Sequence, residues 1–258
     1  MKARLVYFVL AVALALSLSA CGKKEAEEEK PAAGPATASA PVDPATAATI
    51  TGTVKLDGAA PKAQRIRMDA EPNCAKLHTT PVMAEDYVVG DKGALANVVV
   101  YVKEGLGNRT FPTPTDSVVL DQRGCLYVPH VIAVQVGQPV EIVNSDPTTH
   151  NIHPVPSNNP EWNKSQPPKA ENIKQTFNRE EIAIPVKCNV HPWMKSYVAV
   201  LKNPYFKVTG KDGSFEIKNL PPGDYTLVAW HGVLGASTEQ KVTVGVKETK
   251  SLDFTFKP

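Results

Sequence analysis

The chain has 258 residues, with 28 basic side chains against 26 acidic ones. So even a balance, without a basic block, leaves no electrostatic footprint for nucleic acid, and none is expected as a partner. About 210 residues lie beyond position 48, enough for one large or two small domains with real cores.

Met1, Lys2, Ala3 and Arg4 form a short basic start, and residues 5–16 are an apolar run. That run is too short to span a membrane but suits a signal peptide. Leu18-Ser19-Ala20-Cys21 resembles the bacterial lipobox, whose cysteine is diacylated and becomes the first residue. The resemblance implies that residues 1–20 are removed and that Cys21 carries lipid. The protein would then be exported and anchored to the cell envelope, facing the periplasm or the outer surface. Attachment through more than one acyl chain is stable rather than transient. Loss of Lys2 and Arg4 would leave 26 basic against 26 acidic residues. Residues 21–48 read as a linker: a charged stretch, then almost only Pro, Ala, Thr, Ser and Gly. Neither part can bury enough apolar surface to offset its ordering entropy, and the prolines favour an extended spacer.

From Thr49 onward, short runs of Val, Ile, Thr, Tyr and Phe alternate with Gly, Pro, Asn and Asp. This is the pattern of an all-β sandwich. It predicts strands at 49–56, 63–68, 85–89, 96–103, 117–120, 126–136, 139–144 and 149–154. Further strands are expected at 173–178, 181–187, 196–202, 206–209, 214–217, 223–231, 238–244 and 249–256. Residues 72–77 and 159–164 are expected to make single helical turns. The stretch Thr49 to Gly58, with Ala96 to Val102, resembles the opening of a carboxypeptidase regulatory-like domain. Val208-Thr209-Gly210-Lys211-Asp212-Gly213, through Leu220-Pro221-Pro222-Gly223 to Val228, resembles its closing half. The resemblance implies a discontinuous small sandwich, 49–106 plus 204–258, that brings no catalytic residues. A second module, 107–203, would interrupt it.

That second module carries the chemistry. Lys187-Cys188-Asn189-Val190-His191-Pro192-Trp193-Met194 places a thiolate, an imidazole and a thioether at Cys-x2-His-x2-Met spacing. Strand-like sequence on both sides can pin the loop ends, and a further imidazole is available upstream at His150 or His153. Two His and one Cys with a weak axial Met is the blue-copper arrangement, and a rigid sandwich can set such positions. The run Val134 to Asp146, His150-Asn151-Ile152-His153 and the Cys188 loop resemble cupredoxins, amicyanin and the plastocyanin-like proteins above all. The resemblance implies a Greek-key cupredoxin sandwich with one type 1 copper site. His150, Cys188, His191 and Met194 would be its ligands, and His153 would not. The outer edge of His191, flanked by Pro192 and Trp193, would form an apolar docking patch for redox partner proteins of the envelope.

With Cys21 lipidated and Cys188 on copper, Cys74 and Cys125 remain, and an oxidising compartment favours a disulfide between them. The rival arrangement is a second metal site, Cys74 with His78 and Cys125 with His130. No nucleophile–base pair, phosphate loop or open metal motif stands out, so the expectation is a carrier of single electrons rather than an enzyme. A copper-trafficking protein and a metal-free envelope module are the alternatives.

Overall fold

The computed structural model describes residues 42–258, so the expected signal peptide, Cys21 and most of the linker lie outside the described residues. In chain order the strands begin with β1 (Ala48–Leu56), β2 (Val98–Glu104), β3 (Val118–Gln122), β4 (Tyr127–Val128), β5 (Val131–Gln135) and β6 (Pro139–Asn144). Then come β7 (His150–Pro154), β8 (Lys164–Gln166), β9 (Ile173–Thr176), β10 (Glu181–Lys187), β11 (Lys195–Leu201) and β12 (Phe206–Val208). The last six are β13 (Ser214–Leu220), β14 (Gly223–His231), β15 (Gly235–Ala236), β16 (Gln240–Val244), β17 (Thr249–Ser251) and β18 (Phe254–Phe256). A helix of four residues, α1 (Pro72–Ala75), and a short 3-10 turn (Asp91–Gly93) lie between β1 and β2. The fold is all-β.

Among the described residues, four sheets form two sandwiches. The first faces β13-β1-β17, with β18 also on β1, against β12-β2-β14, with β15 and β16 on β14. The second faces β5-β11-β10-β7-β8 against β4-β3-β6-β9. Strand periodicity explains how the sandwiches join. Along β2, Val98, Val100 and Val102 enter the first core, while Val99 and Tyr101 face the other way. Along β11, Val198 and Val200 enter the second core, while Ala199 and Leu201 turn outward to meet Val99, Val131 and Trp230. A strand buried on both faces reads as a continuous apolar run, as Val-Val-Val-Tyr-Val and Val-Ala-Val-Leu do. At the junction Tyr197 packs edge-on between His130 and Trp230, with ring centroids 5.8 and 5.3 Å away.

Gly52 shows why a glycine interrupts β1. The strand pairs in parallel first with β17 and then with β18, and the step between them carries the Leu252 carbonyl across its face. A Cβ on Gly52 would lie 1.8 Å from that oxygen, so no side chain fits there.

The structure departs from the sequence reading at several points, and the expected strands 126–136 and 249–256 are each split in two, β4 with β5 and β17 with β18. Residues 63–68 and 85–89 make only isolated bridges, Arg65 with Met83 and Val89 with Leu95. The turn expected at 159–164 is absent, and Lys164 instead opens β8, drawn out by pairing with β7. The span 49–106 does not pack as one body either. Met68 and Cys74, with Ile66, Ala75 and Val82 beside them, belong to the second core. The excursion between β1 and β2 thus leaves its own sandwich and lies on the neighbouring one.

Buried imidazoles at the junction make the fold acid-sensitive. His231 accepts hydrogen bonds at Nδ1 from the Val233 and Leu234 amides, which requires that nitrogen to be unprotonated. Burial pushes both His130 and His231 down to about 4. A depressed folded pKa means that the unfolded chain binds protons first, so stability is full above about 6.5 and drains as the pH falls toward 4. The expected loss is roughly 2–3 kcal/mol per histidine by pH 4. His231→Asn, which keeps an acceptor but does not titrate, should flatten that decline in urea titrations run at a series of pH values.

Candidate metal centre

Residue Cys188 follows β10 and Met194 precedes β11, and those strands pair antiparallel up to Lys187 opposite Lys195. The loop between them therefore has both ends clamped by sheet. Inside it, the Met194 amide donates to the His191 carbonyl at 2.9 Å, and the Cys188 amide to the Met194 carbonyl at 3.3 Å. The His191 amide points at Cys188 Sγ at 3.4 Å. His150 arrives from elsewhere, as the first residue of β7. Its loop is shaped by Asn144, whose side chain donates to the Thr148 carbonyl and accepts from the Asp146 amide.

These elements bring His150, Cys188 and His191 together, with ligand atoms within 4.8 Å of one another and all three side chains buried. The two Nδ1 atoms lie 2.9 Å apart, and Cys188 Sγ is 3.9 Å from that of His191. Met194 is fully buried in the same core as Cys188. His153 is engaged differently, with Nδ1 on Asn189 at 3.1 Å and Nε2 on Glu161 at 2.6 Å.

Two braces hold the trio, and neither Asp146 nor Tyr127 was singled out from sequence. Asp146 Oδ2 lies 2.8 Å from His150 Nε2. A carboxylate has no proton to give, so Nε2 donates and Nδ1 is the nitrogen turned toward Cys188 and His191. The Tyr127 hydroxyl donates to the carbonyls of Asn151 and Lys187, the residues adjoining His150 and Cys188. Asn151 Oδ1 in turn accepts from the Asn189 amide inside the ligand loop. The one available signal was the Asn144-Ser145-Asp146 strand end, which places an acid four residues before His150.

Electrostatics follow from the same contacts. Burial works against charging His150, yet hydrogen bonds to Asp146 and Cys188 outweigh it and raise its pKa. Burial, then the charge of His150, lowers that of His191. Burial also opposes the Cys188 thiolate, but His150 and the surrounding backbone amides pull its pKa down. Two nitrogens and one soft sulfur, facing one another in a water-poor pocket, fit copper better than a hard cation. The residues present thus fit such a metal, whose binding would require the facing imidazole nitrogens and the thiol to be free of protons.

Cys74 and Cys125 are joined in a disulfide. The rival set with His78 and His130 is not assembled. His78 contacts the Gly124 carbonyl at 2.8 Å, and His130 packs on Tyr197. The cysteine sulfurs instead lie within 4.8 Å of His191. This overturns the expected exposed edge of His191, whose ring is only 1% exposed. The excursion from the first sandwich covers it, together with Trp193, whose indole N–H donates to the Cys125 carbonyl. At the surface of the loop remain Asn189, Val190 and Pro192.

A family model described as polysaccharide lyase family 4, domain II matches residues 179–252, a span that takes in β10 and β11 of the second sandwich and β12 to β17 of the first. No curated protein matches the chain. A copper-containing nitrite reductase from Thermus scotoductus is similar at 22% identity and TM-score 0.31, over 36% of this chain and only 23% of that one. An oxidised P94A mutant of amicyanin is similar at 27% identity and TM-score 0.29, over 33% of this chain and 81% of that one. A purple cupredoxin from Nitrosopumilus maritimus is similar at 21% identity and TM-score 0.28, over 33% of this chain and 97% of that one.

Asp146→Asn tests the first brace. Its amide can meet His150 either way round, so the ring tautomer is no longer fixed. Copper affinity, read by chelator competition, should fall roughly 10–100-fold. Unchanged affinity would show that the ring is held by packing alone.

Proposed function

We propose that this protein is a type 1 copper protein that carries single electrons. His150, Cys188 and His191 would hold the metal, with Met194 as a weak axial ligand. The observation that carries the reading is the convergence of these three buried donors from two separate loops. Copper in such a set supplies a one-electron couple. The chain's own residues do the rest. Asp146 fixes the His150 tautomer, the β10–β11 pairing fixes the loop, and the surrounding core excludes water. Positions set by the scaffold change little between oxidation states, which suits electron transfer. Val190 and Pro192, with Trp193 behind them, are the surface a redox partner would meet. We extend the proposal to a lipid anchor at Cys21 in the cell envelope and to a non-catalytic role.

The sealed edge of His191 favours a second reading, carriage of Cu(I), since an electron partner cannot touch the ring directly. Colour separates the two. Loaded with Cu(II) and oxidised, an electron carrier shows an intense visible thiolate band, and a colourless protein would leave carriage as the function.

Four substitutions order the site. Cys188→Ser replaces the soft thiolate by a hydroxyl and should abolish the band. His150→Ala should alter the spectrum while the fold persists. Met194→Gln, an oxygen donor favouring Cu(II), should lower the potential and keep the colour. His153→Ala should change neither spectrum nor potential. A His153→Ala effect as large as that of His150→Ala would defeat the ligand assignment.

A further inference from the structure

Ligand side chains 4% exposed or less leave a cation no open way to His150, Cys188, His191 and Met194. Something must move for metal to enter. Every flank of the trio belongs to a paired strand or a clamped loop except one, the excursion that carries α1 across His191. That segment has little regular secondary structure, although Met68 and Cys74 are buried in the second core and Asp86 pairs with Lys195. Ile66 and Ala84 bond to Val82 and Gln64 within it, and His78 reaches the Gly124 carbonyl. A surface pocket of about 210 Å³ lies within the segment itself, lined by Ile66, Met68, Ala75 and His78. The covalent tie is the Cys74–Cys125 disulfide.

The tie has an unusual place. Cys74, Cys125 and His191 have their ligand atoms within 4.8 Å of one another, and Cys125 forms a similar group with Asp146 and His150. The sulfurs that close the cover therefore lie against the same imidazole that the inner set uses.

We propose that reduction of Cys74–Cys125 turns this cover into an entry site for Cu(I), built from Cys74, Cys125 and His191 and sharing His191 with the inner set. The proposal rests on the copper reading for the identity of the metal. In the first step a dithiol reductant gives two electrons and two protons. The Cys74–Cys125 bond breaks, two thiols form, and the reductant becomes a disulfide. Cu(I) then displaces the two thiol protons, and two soft sulfurs with one imidazole suit that ion. A cation held there already sits on one ligand of the inner set. Once it has moved on, a disulfide oxidant takes two electrons and two protons from the thiols and closes the cover again.

The test uses the full chain carrying Cys21→Ser and Cys188→Ser, in which the only remaining cysteines are the pair. With the disulfide intact, titration with Cu(I) should give no thiolate absorption in the near ultraviolet. After anaerobic reduction and removal of the dithiol, one equivalent of Cu(I) should bind with that absorption, and X-ray absorption should find two sulfurs and one nitrogen. Adding His191→Ala should weaken Cu(I) in chelator competition by more than the roughly 10–100-fold lost with an outer-shell partner. The proposal is overturned by a reduced protein that binds no Cu(I) through thiolate, or by an affinity indifferent to His191→Ala. It is equally overturned if reduction abolishes the near-ultraviolet circular dichroism of the fold. The inner site is read separately, from the visible band of the disulfide-intact protein with Cys188 in place, so the failure of either reading is distinguishable from that of the other.

Discussion

A buried carboxylate organises the site end of this molecule. Asp146 is 6% exposed. A charge there would cost several kcal/mol if left unpaired, so it must be met on every side. The amides of Gly124 and Cys125 each donate to it at 2.7 Å, and His150 meets it through Nε2. Gly124 and Cys125 both adopt left-handed backbone, with φ of 67° and 54°, which turns two successive N–H groups to one side. Glycine reaches that region without cost, whereas cysteine adopts it only under constraint, here the disulfide and the Trp193 bond to its carbonyl. One side chain thus couples the His150 imidazole, a strained turn and the disulfide.

What the sequence disclosed follows from how local each feature is. Cys188, His191 and Met194 sit within one loop whose ends pair as adjacent strands, so their spacing alone announces their convergence. The apolar runs of β2 and β11 are equally local and announced two strands, whereas their burial on both faces shows only in the fold. Asp146 was harder to recognise, because an acid four residues before a histidine gains meaning only once the turn between them is known. The burial of His191 was invisible for a further reason. It depends on residues 66–82, far away in the chain and without period-2 patterning, settling on a different sandwich from the strand that precedes them. Strand β8 was missed likewise, since its three residues are extended only because β7 offers them an edge.

The junction between the sandwiches sets the geometry of the second one by packing alone. The β11 strand is packed on both faces, by the second core on one side and by Val99 and Trp230 on the other. Sliding β11 by one residue would exchange the two faces, so its register is fixed twice over. Because Lys195 pairs with Lys187, that register passes directly into the ligand loop. Tyr127 adds a fixed span between the ends of β7 and β10, the two strands that deliver the separate donors.

Preorganisation and closure pull in opposite directions, and the arrangement shows where each was placed. Donors held at fixed positions by sheets lower the reorganisation that accompanies a change of metal charge, but the same sheets cannot part to admit an ion. A site built wholly of regular elements would be accurate and inaccessible. Here the sheet-bound face carries three of the donors, while the remaining face is roofed by irregular chain that contributes none of them. The roof can move without shifting Cys188, Met194 or His150 directly. The roof meets the donor set at His191, against which Cys74 and Cys125 lie, and through Cys125 and Asp146 it also bears on the hydrogen bond that orients His150.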